Sequence, residues 1–329
     1  MWRWRPWLIS FTVTGGIFWY LLSQIDISEL LKTAWSMTPR HLWMFVTLLF
    51  AGVIARALRF WILLNRTVPI HFLTAIVMAR NLFVDLLPAR LGELSYVYLI
   101  TKRANRPTED ALASLFLAVL FDVVALTPLL LLAVLIVGGV ADFSLPVLVA
   151  VAISLAVGAF IVMWAAAPVG TWLANWIGLD HPVAWRAQLA QLAERTVRAL
   201  REAYNQRIIG PVLLLSMVIR LCKFGGYCFL VLAIMTPLGY TVGETGVFRI
   251  FLGVVGAELA AALPIHGIAG FGTFEAAWAL SFSQLGFSTE HAIMSGILAH
   301  AVSQLVEYSL GTGALLYVMR PTVTSKRSD

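Results

Sequence analysis

Charge is scarce in this sequence. Only 12% of the 329 residues are Asp, Glu, Lys or Arg, while 60% are hydrophobic. A soluble domain carries about 25% charged residues, so a fully water-exposed surface is excluded. The mean hydropathy of +0.87 fits an integral membrane protein with several spans, at about 20 apolar residues per crossing. Cysteine is nearly missing as well. Cys222 and Cys228 lie in one apolar run, which excludes a Cys/His metal cluster and suits buried packing. Catalytic signatures are also lacking: the chain has no nucleophile elbow, no H-E-x-x-H and no metal-spaced Cys/His. The larger polar segment, 167–207, is too small for a soluble catalytic domain. No metal, cofactor or nucleic acid is therefore expected. The first apolar run lacks a clear small-x-small cleavage site and is read as a retained span.

What is present is apolar sequence in long runs. Six look like full crossings: about 7–25, 41–64, 109–138, 144–166, 208–235 and 290–318. Two further regions, about 72–101 and 246–286, break near their middles, the first at Pro88 to Gly92 and the second at Pro264 to Gly272. Each half is short, so both regions read as re-entrant helical hairpins. Non-helical backbone at that depth is tolerated where protein or a wet cavity surrounds it. Lys and Arg set the orientation. With the N-terminus inside, the inner segments hold Arg3, Arg5, Arg66, Lys102, Arg103, Arg106, the Arg residues of 167–207, Arg320, Lys326 and Arg327. The outer ones hold Lys32 and Arg40. That asymmetry predicts N-terminus and C-terminus cytoplasmic, in a plasma (bacterial inner) membrane. Residues 183–207 interleave Leu and Val with Arg186, Arg195, Arg198 and Arg201, the pattern of an amphipathic helix on the cytoplasmic leaflet.

The two halves repeat. "RALRF" at 56–60 matches "RLCKF" at 220–224. The Pro88 turn before Glu93 matches the Pro264 turn before Glu275. "TEDALASLFLA" from Thr108 matches "TEHAIMSGILA" from Thr289, with Ser114 aligned to Ser295. Three crossings separate the starts of the copies, so the second is inverted. The expected architecture is a single all-α polytopic membrane domain over 1–329. Its first repeat is 41–138 and its second, inverted repeat is 208–318, with about six full spans and two broken hairpins. Inverted repeats with broken helices around a midplane site are common in transporters.

Ionisable residues mark where that site lies. Arg56, Arg59, Arg80, Arg90, Arg220, Lys223 and Arg249 fall within spans or hairpins, as do Asp85, Glu93, Asp122, Glu258, Glu275 and Glu307. An unpaired charge at membrane centre costs at least ~2.5–3.5 kcal/mol on insertion scales, so these groups need partners or water. Arg56 and Arg59 share a helix face at i, i+3, and Arg220 and Lys223 repeat the arrangement. Such a set either pairs with acids or binds a lipid phosphate. Glu93 and Glu275 open the helices after the breaks, where a carboxylate complements the helix dipole or takes up a proton. Asp85, Asp122, Glu258 and Glu307 are further candidates for proton coupling, and His266 and His300 for proton transfer. "GIAGFGTFE" at 267–275 has dinucleotide-like glycine spacing but no βαβ context. Its glycines suit a tight break instead.

The run N-x-F-x-x-x-L-P-A-R-x-G-E from Asn81 to Glu93, with "RALRFWILL" before it and "ALPIHGIAGFGTFE" after it, resembles the lysylphosphatidylglycerol synthase/flippase-like membrane domain family. The resemblance spans about 41–318. Relatives often carry Gly-Gly where this chain has His266 to Gly270. It implies movement of lipid across the bilayer rather than aminoacyl transfer, without the aminoacyltransferase domain of the synthases. The expected substrate is an anionic phospholipid, a polyprenyl phosphate or a glycolipid. The expected binding set is Arg56, Arg59, Arg90, Glu93, Arg220, Lys223, His266 and Glu275. Two other classes compete: an intramembrane enzyme on a lipid-linked substrate, and a non-catalytic partner of a membrane glycosyltransferase. Small residues on several spans also permit a homo-oligomer or a complex with a lipid-modifying enzyme.

Overall fold

The computed structural model describes residues 15–87, 91–137, 184–205, 208–261 and 271–320, with scattered helical positions between 150 and 177. Helices account for nearly all of this, and no strand occurs among the described residues. After a helical stretch at 15–23 come α1 (Ile27–Ser36), α2 (Pro39–Leu63), α3 (Ile70–Leu86), α4 (Glu93–Arg103) and α5 (Thr108–Val137). Then follow α6 (Ala184–Asn205), α7 (Ile209–Met235), α8 (Val242–Thr245), α9 (Val247–Ala261), α10 (Thr273–Gln284) and α11 (Thr289–Met319). Backbone amides have no water to bond in a bilayer core, so apolar runs of this length close their hydrogen bonds internally. Local signals set the ends. Pro39 opens α2, Asp26 accepts Ser28 N–H at 2.8 Å, and Ser288 caps α11 through His291 N–H.

Among the described residues, Pro39–Leu63, Thr108–Ala133 and Ile209–Met235 are long and apolar enough to cross a membrane. These answer to three of the six expected spans. Of the expected span at 7–25, residues 15–25 are described and helical from 15 to 23, while the expected span at 144–166 falls largely outside the described residues. The α11 helix, at 31 residues, is long enough to cross, at ~1.5 Å per residue.

Both expected breaks are present as breaks between helices. The flanking helices α3, α4, α9 and α10 have 17, 11, 15 and 12 described residues. At ~1.5 Å per residue each is shorter than a ~30 Å hydrocarbon core. The turn residues themselves, 88–90 and 262–270, lie outside the described residues, and with them Arg90 and His266. Gly92 explains how the first break closes. A Cβ there would stand 2.1 Å from the carbonyl oxygen of Phe83, so only glycine lets α4 start against the backbone of α3. At the second break, Gly272 has φ of +86°, which glycine adopts without strain.

The basic spans α2 and α7 form the most extensive helix pair. Each broken region's first helix packs on the long Thr-Glu helix of the other half: α3 on α11, and α9 on α5. A shared hydrogen bond recurs in both halves. Tyr96 Oη lies 2.9 Å from Ser114 Oγ, and Trp278 Nε1 donates to Ser295 Oγ at 3.1 Å. Each serine in turn donates to the carbonyl three residues back, in Ala111 and Ala292. Tyr96 and Trp278 each stand three residues after the glutamate that follows a break.

Loops gather into two sets. Arg106 donates to Thr67 O at 2.9 Å, Arg103 Nη2 lies 3.1 Å from Met319 Sδ, and Arg195 lies 3.7 Å from Glu109. These contacts join the α2–α3, α4–α5 and α6 segments to the end of α11. At the other set, Thr38 N–H donates to Ala233 O, and Tyr240 Oη lies 3.0 Å from His291 Nδ1. The α6 helix packs on α5, buries Ala190 and Val197 and leaves Arg186, Arg195 and Arg198 exposed.

Candidate functional site

Two buried apolar clusters hold the bundle. One joins α2, α3, α4 and α5, and the other joins α7, α9, α10 and α11. A cavity of about 340 Å³ takes wall residues from both, including Phe45 and Val53. The broken segments contribute Val84, Asp85, Leu87 and Glu93 from one half and Glu258 and Phe274 from the other. The basic spans add Arg56, Arg220 and Lys223. Asp122, His300, Ser303, Gln304 and Glu307 come from α5 and α11.

Most of these charges are matched. Asp122 is the hub: Arg59 Nη1 reaches its Oδ1 at 2.6 Å and Arg59 Nη2 its Oδ2 at 3.2 Å. Arg59 also donates to Ser216 Oγ at 2.8 Å. From the facing span, Arg220 Nε donates to the Asp122 carbonyl at 3.2 Å and lies 3.8 Å from its carboxylate. One carboxylate of α5 thus fastens both basic spans. Arg80 forks Glu93, with Nε donating to Oε2 at 2.8 Å and Nη2 contacting both oxygens. Lys223 Nζ lies 2.6 Å from Glu258 Oε1, an ion pair whose angles depart from hydrogen-bond geometry.

Glu275 is wholly enclosed. Its Oε2 accepts Gly272 N–H at 2.7 Å, satisfying a free amide at the start of α10. Its Oε1 lies 2.5 Å from His300 Nδ1, and Gln304 Nε2 approaches His300 Nε2. If the amide donates there, the imidazole is the neutral tautomer with its proton on Nδ1.

Three ionisable groups of the wall stand apart. Arg56 Nη1 donates to Asn81 Oδ1 at 3.0 Å, but among the described residues no carboxylate oxygen lies within 4.0 Å of its guanidinium. Asp85 and Glu307 likewise have no Lys, Arg or His nitrogen within that distance among the described residues, and they lie within hydrogen-bond reach of each other.

The expected binding set is therefore divided. Arg56, Glu93, Arg220 and Lys223 line the cavity together. Arg59 lies behind the wall, 1% exposed, and Glu275 behind His300. Of the proton-coupling candidates, Glu93, Asp122, Glu258 and Glu275 each face a basic partner, while Asp85 and Glu307 do not. Asn81, Tyr227 and Ser303 were not singled out from sequence. Asn81 was signalled only as the first residue of the N-x-F motif. No group of three or more His, Cys, Asp or Glu that could hold a metal occurs among the described residues.

Helices built this way around an ionised cavity define a polytopic membrane protein with an internal polar site. The family described as the lysylphosphatidylglycerol synthase TM region matches residues 7–311, nearly the whole sequence, and the chain belongs to it. Among curated proteins none matches the chain.

Proposed function

We propose that the protein is a lipid translocase: a phosphate-bearing head group passes through the cavity while its tails remain in the bilayer. The family supports a membrane role connected with lipid. The observation that carries the reading is the cavity itself, at about 340 Å³ and lined by ionisable side chains from both halves and both broken segments. That volume suits a head group, at the small end of ligand sites of ~300–1,000 Å³. A non-catalytic partner has no need of such a space. The docking point for the phosphate is Arg56, the wall cation whose fork is not taken up by a carboxylate among the described residues.

The two halves act as inverted repeats. The α3 and α4 helices start and end at the loop set containing Thr67 and Arg103, while α9 and α10 start and end at the set containing Tyr240 and Phe287. Each broken region is then a re-entrant hairpin, and the pair enters from opposite faces. Rocking of one half against the other exchanges the cavity between leaflets. The first loop set carries Arg66, Lys102, Arg103, Arg106 and the arginines of α6, and the second carries Lys32 and Arg40. The first is therefore cytoplasmic, with both termini on that side of a bacterial inner membrane.

Reconstitution tests the function. Proteoliposomes should move phospholipid between leaflets faster than empty liposomes, and the lipid should be recovered chemically unchanged by mass spectrometry. Arms with and without a pH gradient separate passive from proton-coupled movement. Transport at the empty-liposome rate for every phospholipid tried sinks the reading, and a turned-over product replaces it with an enzyme.

A further inference from the structure

The charge balance of the cavity points to a particular head-group class. We propose that the site takes a zwitterionic head group carrying one phosphate and one primary ammonium, the phosphate on Arg56 and the ammonium between Asp85 and Glu307. This rests on the translocase reading and deepens it.

The pairs Arg80–Glu93 and Lys223–Glu258 each cancel. Arg59 and Arg220 share Asp122 and leave one positive charge. Arg56 adds a second, and Asp85 and Glu307, within hydrogen-bond reach of each other, share one proton and supply one negative charge. The wall and its backing are then neutral as a whole, since Glu275 beside the neutral imidazole of His300 supplies the second negative charge. An anionic head group would bring one uncompensated charge to membrane depth, and a cationic one would do the same with opposite sign. Either carries the insertion cost that makes buried charge rare. A zwitterion adds no net charge and fills both unmatched ends.

Placement agrees with this. Arg56 is held by Asn81, and Asn81 and Asp85 are i, i+4 on α3. The residue that holds the unmatched cation and one unmatched carboxylate thus stand about one turn apart on one face of α3, ~6 Å along its axis. That step suits the two-carbon link between a phosphate and an amine. Around the carboxylates, Tyr227 and Ser303 line the same cavity, with the Tyr227 phenol close to Asp85 and Glu307. The Tyr308 hydroxyl, also near both acids, is enclosed and has no hydrogen-bond partner among the described residues. A primary ammonium has three N–H donors to place, and the oxygens of the carboxyl pair with a phenol oxygen supply three acceptors. A quaternary ammonium has no donor to offer them.

Lipid binding to the purified full chain in detergent, read by native mass spectrometry, tests the proposal apart from transport. The probes are phosphatidylethanolamine, phosphatidylglycerol and phosphatidylcholine of matched acyl chains, with free O-phosphoethanolamine as competitor. Phosphatidylethanolamine should bind at least about tenfold more tightly than the other two, the scale of one charge-assisted hydrogen bond. The double variant Asp85→Asn/Glu307→Gln should bring it to the phosphatidylcholine level without weakening phosphatidylglycerol. Arg56→Gln should weaken all three. Each variant is first shown to be monodisperse with an unchanged unfolding temperature. If Asp85→Asn/Glu307→Gln does not fold, the wild-type preference alone decides. Tighter phosphatidylglycerol binding, or unchanged phosphatidylethanolamine binding in a folded double variant, overturns the proposal. Competition by the free head group as strong as by the lipid overturns the lipid as its source. Selective binding without transport would remove the translocase reading and leave the site, whereas transport without this preference would do the reverse.

Discussion

Asp122 gives the sharpest test of how the charged interior is held. Its carboxylate is forked by Arg59, whose side chain is 2% exposed, and it also faces Arg220. Asp122→Leu would strand Arg59 with Ser216 Oγ as its remaining side-chain acceptor, against five N–H donors. Removing one member of a buried ion pair costs about 3–5 kcal/mol. Arg220 would lose less, because its bond at 3.2 Å is to the backbone carbonyl of residue 122, which the substitution retains. Arg59→Met alone should cost less than Asp122→Leu, since Arg220 still faces the carboxylate. The double variant Arg59→Met/Asp122→Leu removes both desolvated charges and should lie within about 1.5 kcal/mol of the natural protein. Reversible unfolding in mixed SDS micelles, followed by tryptophan fluorescence, supplies the four corners of the cycle. The expected coupling is about 3 kcal/mol, far above the ~0.3–0.5 kcal/mol within which independent sites add. A loss under about 1 kcal/mol for Asp122→Leu, or a double variant equal to the sum of the singles, would show that the pair does not fasten the spans.

Gly92→Ala should destabilise by about 1–3 kcal/mol or more, since its Cβ would meet Phe83 O at 2.1 Å. Gly210→Ala, on a helix with open space around it, should be neutral or stabilise by up to ~1 kcal/mol, and the same unfolding assay compares them. Glu275→Ala leaves the Gly272 amide and His300 without their partner and should cost about 1–3 kcal/mol for each. Replacing that glutamate by Gln should recover the amide bond, so a Gln variant as unstable as the Ala variant would refute this account. Asp26 lies outside the spans, and the hydrogen bonds it accepts from the Ser28 side chain and from Ser28 N–H hold its carboxyl below the ordinary value of 3.8. A depressed folded value means the cap is present above the unfolded pKa and lost as pH falls through the folded one. Amide exchange in α1 should therefore quicken below about pH 4 and at all pH values in Asp26→Ala. For orientation, a cysteine at Arg106 in a Cys222→Ala/Cys228→Ala background should react only with permeant thiol reagents, and one at Lys32 with impermeant ones from outside. The opposite pattern reverses the topology.

Helices and breaks were legible in the sequence because the bilayer leaves few choices. An apolar run must satisfy its own amides, so α2, the apolar part of α5 and α7 could be read directly, and Gly92 and Gly272 marked the break positions. Partners were not legible. Arg56 and Arg59 were grouped by i, i+3 spacing, yet three residues are ~300° around a helix, a net turn of about 60°. That turn puts Arg56 in the cavity wall and Arg59 behind it on Asp122. The bonds from Arg59 to Asp122 and to Ser216 span 63 and 157 residues, and no local pattern encodes which acid meets which base. Tyr96 and Trp278 were missed for a different reason. A tyrosine and a tryptophan do not align by residue type, although both present a donor to the same serine position.

That shared pair of bonds shows where the halves remain alike and where they part. The Tyr96–Ser114 and Trp278–Ser295 contacts lock the helix after each break to the long helix that follows, so the scaffold is common to both. The glutamates three residues earlier have diverged in environment. Glu93 faces the cavity through Arg80, while Glu275 is sealed against His300 and Gly272. Asn81 and Asp85 also belong to the first half, and the cation that Asn81 holds comes from α2. A repeat that kept equal chemistry in both halves would put equivalent charges at both breaks and offer a head group two competing sites. Confining the exposed acids and the available guanidinium largely to the first half, with Glu307 reaching in from α11, leaves one. On the proposed translocase reading the second broken segment is then free to act mainly as a moving wall, and changes at Glu275 should alter stability before they alter which head group is held.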